Sequence, residues 1–479
     1  MTRDHVGPFT VLPAQATAPI IETDTQRRRA ARPRISVLGT GYLGATHAVC
    51  MASLGFEVIG LDVDEEKVAA LAAGRVPFHE PGLPELLREQ LATGRLRFTT
   101  SWAEVGQFAD VHFVCVGTPQ VAGGHAADLR YVDDAVRSLA PHLRTGAVVV
   151  GKSTVPAGTA ARLAAMLRDL APNADIELAW NPEFLREGFA IEDTLRPDRL
   201  VLGVASPRAE AVLRSVYAPL LAAGTPLVVT DWATAELVKA AANSFLATKI
   251  SFINAMAELC EVTGGDVMAL SRALGYDTRI GNRFLHPGLG FGGGCLPKDI
   301  RAFQARAQEL GSGASVAFLA EVDAINLRCR ERVVAMCEEA VGGSLSGRRI
   351  AALGAAFKPD SDDVRDSPAL HVARELQLLG ADVCVYDPQA NVNAARVAPD
   401  LDYSDSLFGA VINADLVVVL TEWAEIRQAD PAALSVLAAA PRVVDARNCL
   451  DVAAWTAAGW DVRAPGLPAR RGASVPAAV

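Results

Sequence analysis

The chain has 479 residues, 51% hydrophobic and 21% charged, with a formal net charge of -10 at pH 7. That length exceeds one ordinary domain, and the composition is globular rather than disordered or fibrous. The acid excess argues against nucleic acid and anionic membrane as partners, since both favour a basic face. A small anionic ligand stays open, because a local basic pocket can oppose the overall sign.

Cys50, Cys115, Cys260, Cys295, Cys329, Cys337, Cys384 and Cys449 contain no C-x-x-C pair, and the eight histidines show no H-x-x-x-H spacing. This scatter reads as reduced thiols in a cytoplasmic protein, without a disulfide framework or a metal site.

In chain order, residues 1–33 form an Ala/Pro/Thr-rich tail ending in the basic stretch Gln26–Arg32, read as flexible and solvated. Asp4 lies early and no apolar core follows a basic start, so no secretory signal is expected. Ile35–Leu38 predicts a buried strand, Tyr42–Leu54 a helix, Glu57–Asp62 a strand, and Glu65 opens a further helix. Val111–Val116 and Ala147–Val150 continue the series, and strands alternating with helices imply a parallel sheet. The uncharged run Ser215–Thr230 is broken by Pro219, Gly224 and Pro226, too short for a membrane span. Thr234–Gly264 carries apolar residues at helical spacing without proline, a long helix joining two α/β halves. A second series follows: strand Arg349–Leu353, helix Ser367–Leu379, then strands Asp382–Tyr386, Leu416–Leu420 and Arg442–Val444. The expected fold is α/β, two Rossmann-like doubly wound domains joined by a long central helix and a helical middle region. The expected divisions are 34–231 for the first domain, 232–340 for the helical middle, 341–465 for the second domain and 466–479 for a flexible tail.

Gly39-Thr40-Gly41-Tyr42-Leu43-Gly44 is G-x-G-x-x-G, set between a predicted strand and a predicted helix, with Asp62 closing the next strand. Gly39 permits the tight turn, Gly41 lets the backbone reach a pyrophosphate, and Gly44 allows close helix packing. The helix N-terminus favours phosphate, and Asp62 would accept from ribose hydroxyls while repelling a 2′-phosphate. The dinucleotide expected here is NAD rather than NADP. The corresponding turn of the second half, Gly354–Lys358, lacks the three glycines and is not expected to bind a dinucleotide.

The loop Pro287–Asp299 places Cys295 among five glycines, with Lys298 and Asp299 behind it. Glycine permits close approach to a ligand, and a cation near sulfur favours the nucleophilic thiolate. Taken alone, a structural cysteine in a tight loop explains the same stretch.

Pro287–Asp299 resembles the active-site loop of the UDP-glucose and GDP-mannose dehydrogenase family. So do Lys152–Pro156, Asn181–Gly188, Glu236–Lys239 with Asn243, Arg279–Gly281, and Phe357–Pro359 with Asp363–Pro368, all in the family's order between about Arg34 and Leu450. The resemblance implies an NAD-dependent oxidation of a sugar CH2OH to a carboxylate, in two hydride transfers, with Cys295 holding the aldehyde covalently. It implies Lys239 and Asn243 beside the reacting oxygen, Glu183 handling protons, and Asp299 with Thr154 ordering water or the substrate hydroxyl. For the cofactor it adds Tyr42, Leu43, Lys67, Thr118, Thr154, Glu187, Lys298 and Arg365. For the nucleotide sugar it adds Phe184, Leu185, Arg279 (reaching from a partner subunit), Phe284, Gly292, Phe357, Lys358 and Arg447. Arg196–Arg199 is similar to the UDP-glucose branch, so UDP-glucose is favoured over GDP-mannose and UDP-N-acetylmannosamine. A homodimer or larger homo-oligomer built on the long central helix is implied as well.

Overall fold

The computed structural model describes residues 32–469. Most of the expected basic tail and the last ten residues lie outside them. Gly466, where a flexible tail was expected to begin, is anchored, its N–H donating to Glu261 (2.8 Å) and its carbonyl accepting from Val267 (3.1 Å).

The first unit opens with β1 (Ile35–Leu38), α1 (Tyr42–Ser53) and β2 (Val58–Leu61), followed by β3 (Leu96–Thr99), β4 (Val111–Val114) and β5 (Val148–Gly151). Helix α2 (Thr159–Leu170) leads to β6 (Glu177–Trp180), β7 (Leu200–Val204) and β8 (Leu227–Thr230). These strands form one sheet in the order β3-β2-β1-β4-β5-β6-β7-β8. Strands β1, β2, β4 and β5 are buried along their length, because apolar cores cover both faces. The sheet departs from the expected all-parallel form at one pair, since β7 runs antiparallel to β6. The connector between them is occupied by the loop 181–189 and a six-residue helix, Ala190–Leu195, so the chain re-enters from the end it left.

The turn after β1 shows why its glycines stand where they do. A Cβ at Gly44 would sit 1.8 Å from the Gly39 carbonyl oxygen, and Gly39 itself has φ +85°. Both glycines are therefore required by helix–strand packing. A Cβ at Gly41 would meet nothing within 4 Å, so the protein's own packing does not demand that glycine.

Helix α3 (Trp232–Thr263) runs 32 residues, about 48 Å at 1.5 Å per residue. Asp231 caps its start by accepting from Thr234 N (2.8 Å), and Gly264 ends it in the left-handed conformation. Helices α4 (Leu296–Glu309) and α5 (Phe318–Val341) pack against it.

The second unit contains β9 (Arg349–Leu353), α6 (Pro368–Leu378), β10 (Asp382–Tyr386), β11 (Asp402–Tyr403), β12 (Leu416–Val419), β13 (Arg442–Asp445) and β14 (Asp461–Arg463). Its parallel sheet has the order β11-β10-β9-β12-β13-β14, the doubly wound arrangement also seen in β3-β2-β1-β4-β5-β6. In such sheets ligands bind beyond the carboxyl ends of the strands, where the order reverses. The turn after β9 differs from the one after β1: Asp387 accepts from Ala355 N (2.8 Å) and Ala356 N (2.9 Å). No helix among the described residues is long and apolar enough to cross a membrane.

Candidate active site

A cavity of about 740 Å³ opens between the two sheets, α3 and the Gly-rich loop. Its wall includes Cys295, Lys239, Asn243 and Glu183, together with Phe184, Leu185, Glu187, Phe284, Gly292, Phe357, Lys358 and Arg447. Residues separated by more than 250 positions are thereby brought to one space.

The loop that carries Cys295 is held from below by two buried asparagines. Asn326 on α5 accepts from Phe291 N (2.7 Å) and donates to the Phe291 carbonyl (3.0 Å), while Asn254 on α3 accepts from Gly288 N (2.8 Å). A Cβ at Gly290 would lie 2.3 Å from the Asn326 side-chain oxygen, so the grip and the glycine depend on each other. Cys295 then caps α4, its side chain open to the cavity.

Lys239 is 5% exposed and its Nζ stands 3.0 Å from Glu183 Oε1. Burial works against that ammonium, but Glu183, Cys295 and Asp299 outweigh it and raise the Lys239 pKa. One helical turn on, Asn243 donates to Asp299 Oδ2 (2.7 Å), and Lys298 Nζ binds Asp299 Oδ1 (2.6 Å). Both oxygens of the buried Asp299 are thus engaged. Glu183 Oε2 accepts from Leu185 N (2.6 Å).

Burial pushes the Cys295 thiol up to about 11, with Lys239 pulling it down and Glu183 and Asp299 pushing it up. Both cations near sulfur are also paired with carboxylates, Lys239 with Glu183 and Lys298 with Asp299, which offsets part of their pull.

Thr154 lines a second, smaller cavity of about 250 Å³, which Lys298 and Asp299 also border, and its carbonyl accepts from Thr118 Oγ1 (2.8 Å). Glu187 accepts from Ser361 (2.7 Å) and stands 3.4 Å from Arg365, while Lys358 Nζ donates to its backbone carbonyl. Burial, then Asp363, push the Glu187 carboxyl up to about 7. Phe184 carries the Arg199 guanidinium 3.7 Å from its ring centre.

Arg279 and Arg447 differ in their surroundings. Arg279 is on the surface, paired with Asp277 (2.6 Å), and does not reach the cavity of its own chain. Arg447 lines the cavity, but its guanidinium donates to the carbonyls of Leu420, Gly290 and Phe357 (2.7–3.1 Å). It ties the Gly-rich loop to the second sheet. Sequence reasoning missed Lys152, Lys249, Arg283 and His286 in the wall. Of these, only Lys152 lay in a motif already singled out.

The dinucleotide elements lie together at the first sheet. Asp62 Oδ2 accepts from Thr40 N (2.8 Å) and from Lys67 Nζ (3.1 Å). Burial would raise its pKa, but backbone N–H groups of Thr40 and Asp64, and then Lys67, hold it low. Tyr42 bonds Glu80 and accepts from Gly188 N (3.0 Å), and Leu43 packs on the core. The open space at Gly41, the free N-terminus of α1 and an ionised acceptor at Asp62 fit NAD.

Two nucleotide-type folds facing one cavity, with a cysteine, a buried lysine and carboxylates inside it, define an oxidoreductase that brings a dinucleotide to a second ligand. Comparison with known proteins agrees. Models of the UDP-glucose/GDP-mannose dehydrogenase family match at residues 33–221 (NAD binding domain), 233–328 (central domain) and 351–452 (UDP binding domain). A UDP-glucose 6-dehydrogenase of Rhizobium meliloti is 43% identical over 87% of this chain and 95% of its own length. One from Bacillus subtilis is 40% identical over 89% and 96%. Among solved structures, a UDP-glucose dehydrogenase from Pyrobaculum islandicum superposes with TM-score 0.82 at 39% identity, covering 88% of this chain and 96% of that one. A UDP-D-ManNAc dehydrogenase from Pyrococcus horikoshii gives 0.79 at 28% identity, covering 90% and 99%. The chain belongs to the UDP-glucose/GDP-mannose dehydrogenase family, and is an oxidoreductase that uses NAD.

Proposed function

We propose that the protein oxidises UDP-glucose to UDP-glucuronate, reducing two NAD per sugar, through a covalent intermediate on Cys295. The observation that carries this reading is the convergence of Cys295, Lys239, Glu183 and Asn243 on one cavity, with Asp299 held behind by Asn243. NAD supplies the hydride acceptor for both oxidations. The chain's own groups do the rest. Glu183 handles protons in the hydrolysis, Asp299 and Thr154 order the water or the substrate hydroxyl, and Lys239 with Asn243 stabilises the oxyanionic states. Cys295 Sγ adds to the aldehyde carbon as a thiohemiacetal, the second oxidation makes this a thioester, and water releases the acid and the free thiol. Asp299, Lys298 and Thr154 order the groups around the sulfur. Phe184, Leu185, Phe284, Gly292, Phe357 and Lys358 bind the nucleotide diphosphate, with Lys358 supplying a cation. Gly39, Gly41, Tyr42, Leu43, Gly44, Asp62, Lys67, Thr118, Thr154, Glu187, Lys298 and Arg365 hold NAD.

We place the divisions between units near residues 231 and 340. The exposed side chains Phe245, Phe252 and Leu259 recur every seven residues along α3. This face supports a homodimer in which a second copy brings its Arg279 to the site. Free cysteines throughout favour the cytoplasm.

The test is stoichiometry. Two NADH formed per UDP-glucose consumed is expected, and one NADH with free aldehyde released would refute the covalent route. The likeness to the UDP-D-ManNAc dehydrogenase keeps a second sugar in play. Turnover of UDP-glucose, GDP-mannose and UDP-N-acetylmannosamine side by side ranks them. Binding of both ligands without NADH from any sugar would make the protein a silent sensor.

A further inference from the structure

Helix α3 carries Lys239 and Asn243 into the cavity, and further along it Lys249 is also in the wall, between Phe245 and Ile250. Phe245, Lys249 and Phe252 stand at i, i+4 and i+7, so they share one side of the helix, the side offered above to a second copy. Lys249 therefore belongs both to the active-site wall and to the edge of that face.

Among the described residues the partners of its ammonium are backbone carbonyls rather than a carboxylate. Nζ donates to the Ile280 carbonyl (3.0 Å) and reaches the Gly281 carbonyl at 3.5 Å. These carbonyls belong to the turn 277–281, which follows the helix Val267–Gly275 and carries Arg279. The shape of the turn is set from within. The Asp277 carboxylate accepts from Arg279 N (2.9 Å) and Nη2 (2.6 Å), and the Asp277 carbonyl accepts from Ile280 N (2.9 Å) and Gly281 N (2.8 Å). Gly281 closes it at φ +70°.

Internal bonds fix a shape and leave its place open. Among the described residues Lys249 is the one side chain of α3 that hydrogen-bonds this turn. Bonds from an ammonium are charge-assisted and stronger than neutral ones, so Lys249 is what ties the turn to the helix. Asp277 takes the Nε and Nη2 edge of the guanidinium, and the Arg279 side chain is 87% exposed, which leaves its Nη1 group for a ligand outside its own chain.

We propose that Lys249 is a positioning residue that acts on the other site of the dimer: it holds the turn 277–281 so that Arg279 is presented to the nucleotide sugar bound by the second copy. This role rests on the homodimer reading above, in which Arg279 completes the site of a second copy. A change at Lys249 is then felt in the partner's cavity, although Lys249 lines its own. A direct contact between Lys249 and substrate would give the reverse.

The experiment uses mixed dimers with one live site, isolated through two affinity tags after co-expression. One chain carries Cys295→Ala and is silent, and the other keeps Cys295. The UDP-glucose KM and kcat are measured at saturating NAD, with Lys249→Met placed on either chain. On the silent chain it should raise KM about tenfold, the scale of one charged hydrogen bond, and change kcat by less than about threefold. On the live chain it should leave both values within about twofold of the unaltered mixed dimer. A rise from the live chain alone, an equal rise from both placements, or no rise from either overturns the proposal. If Lys249→Met does not fold, Lys249→Gln, which loses the charge and keeps an N–H donor, is read by the same outcomes. Arg279→Ala in the same two placements separates this role from the reading beneath it. An Arg279→Ala effect from the live chain alone refutes the homodimer reading, and the role of Lys249 falls with it. An effect from the silent chain, with none from Lys249→Met, leaves the dimer intact and overturns Lys249 alone.

Discussion

At Cys295 two opposing influences meet, and their order decides how the site behaves. Burial raises the thiol to about 11 against the pull of Lys239. With its pKa raised by burial, the sulfur keeps its proton through neutral pH. The alkylation rate of Cys295 by iodoacetamide should therefore keep rising beyond pH 9, following the thiolate fraction. Lys239→Met removes the one strong lowering influence, so this curve should move to still higher pH. The same variant should lower kcat by about 10²–10³-fold, as for loss of an oxyanion-stabilising donor. A curve that does not move would show that Lys239 does not sense the sulfur.

Among the elements, the Gly-rich loop and the segment after β6 depend on single buried contacts. Asn326 satisfies both the N–H and the carbonyl of Phe291 from α5. Asn326→Ala should cost about 1–3 kcal/mol in urea unfolding and lower kcat, because the loop that aims Cys295 loses its support. Glu187 links the loop after β6 to the segment Lys358–Arg365 of the second unit. Its carboxyl, raised from 4.5 to about 7, binds a proton more tightly in the folded than in the unfolded chain. That contribution is full below pH 4.5 and is lost as the pH rises to 7, where a buried carboxylate must be charged. Glu187→Gln keeps the neutral form. It should raise Tm at pH 8 by about 2–4 °C and leave it unchanged near pH 4.5, as scanning calorimetry at the two pH values would reveal. Because Glu187 is also assigned to the cofactor side, its KM for NAD should rise in parallel.

For the whole molecule, the exposed Phe245, Phe252 and Leu259 on α3 and the surface position of Arg279 belong to one question. In the proposed homodimer, Arg279 serves the site of the second copy. Phe252→Glu should shift the sedimenting species from dimer to monomer. It should also reduce activity, although Cys295, Lys239 and Glu183 are untouched. A monomeric variant with full activity would mean that each chain completes its own site.

Much of this was legible in the primary structure, because it depends on neighbours along the chain. Residues 39–44 demand a strand–turn–helix, since Gly44 meets the Gly39 carbonyl within six positions. The strands Arg349–Leu353 and Asp382–Tyr386 appear where apolar runs placed them. The caps Asp231 and Gly264 bound α3 within two residues of its expected ends. What the local chain could not decide was whatever depends on distant partners. The antiparallel entry of β7 follows from how its connector is occupied. That Arg447, in the cavity wall, also binds three backbone carbonyls is visible only in the fold. That Lys298 is paired with Asp299 is likewise visible only in the fold. Lys152 shows its surroundings only once Asn181, Tyr217 and His47 close over it. Local sterics are written within a few residues, so the sequence by itself determined the turns, strands and caps. The charge state and direction of each reactive group depend on burial and pairing across the fold, and only the tertiary structure decided them.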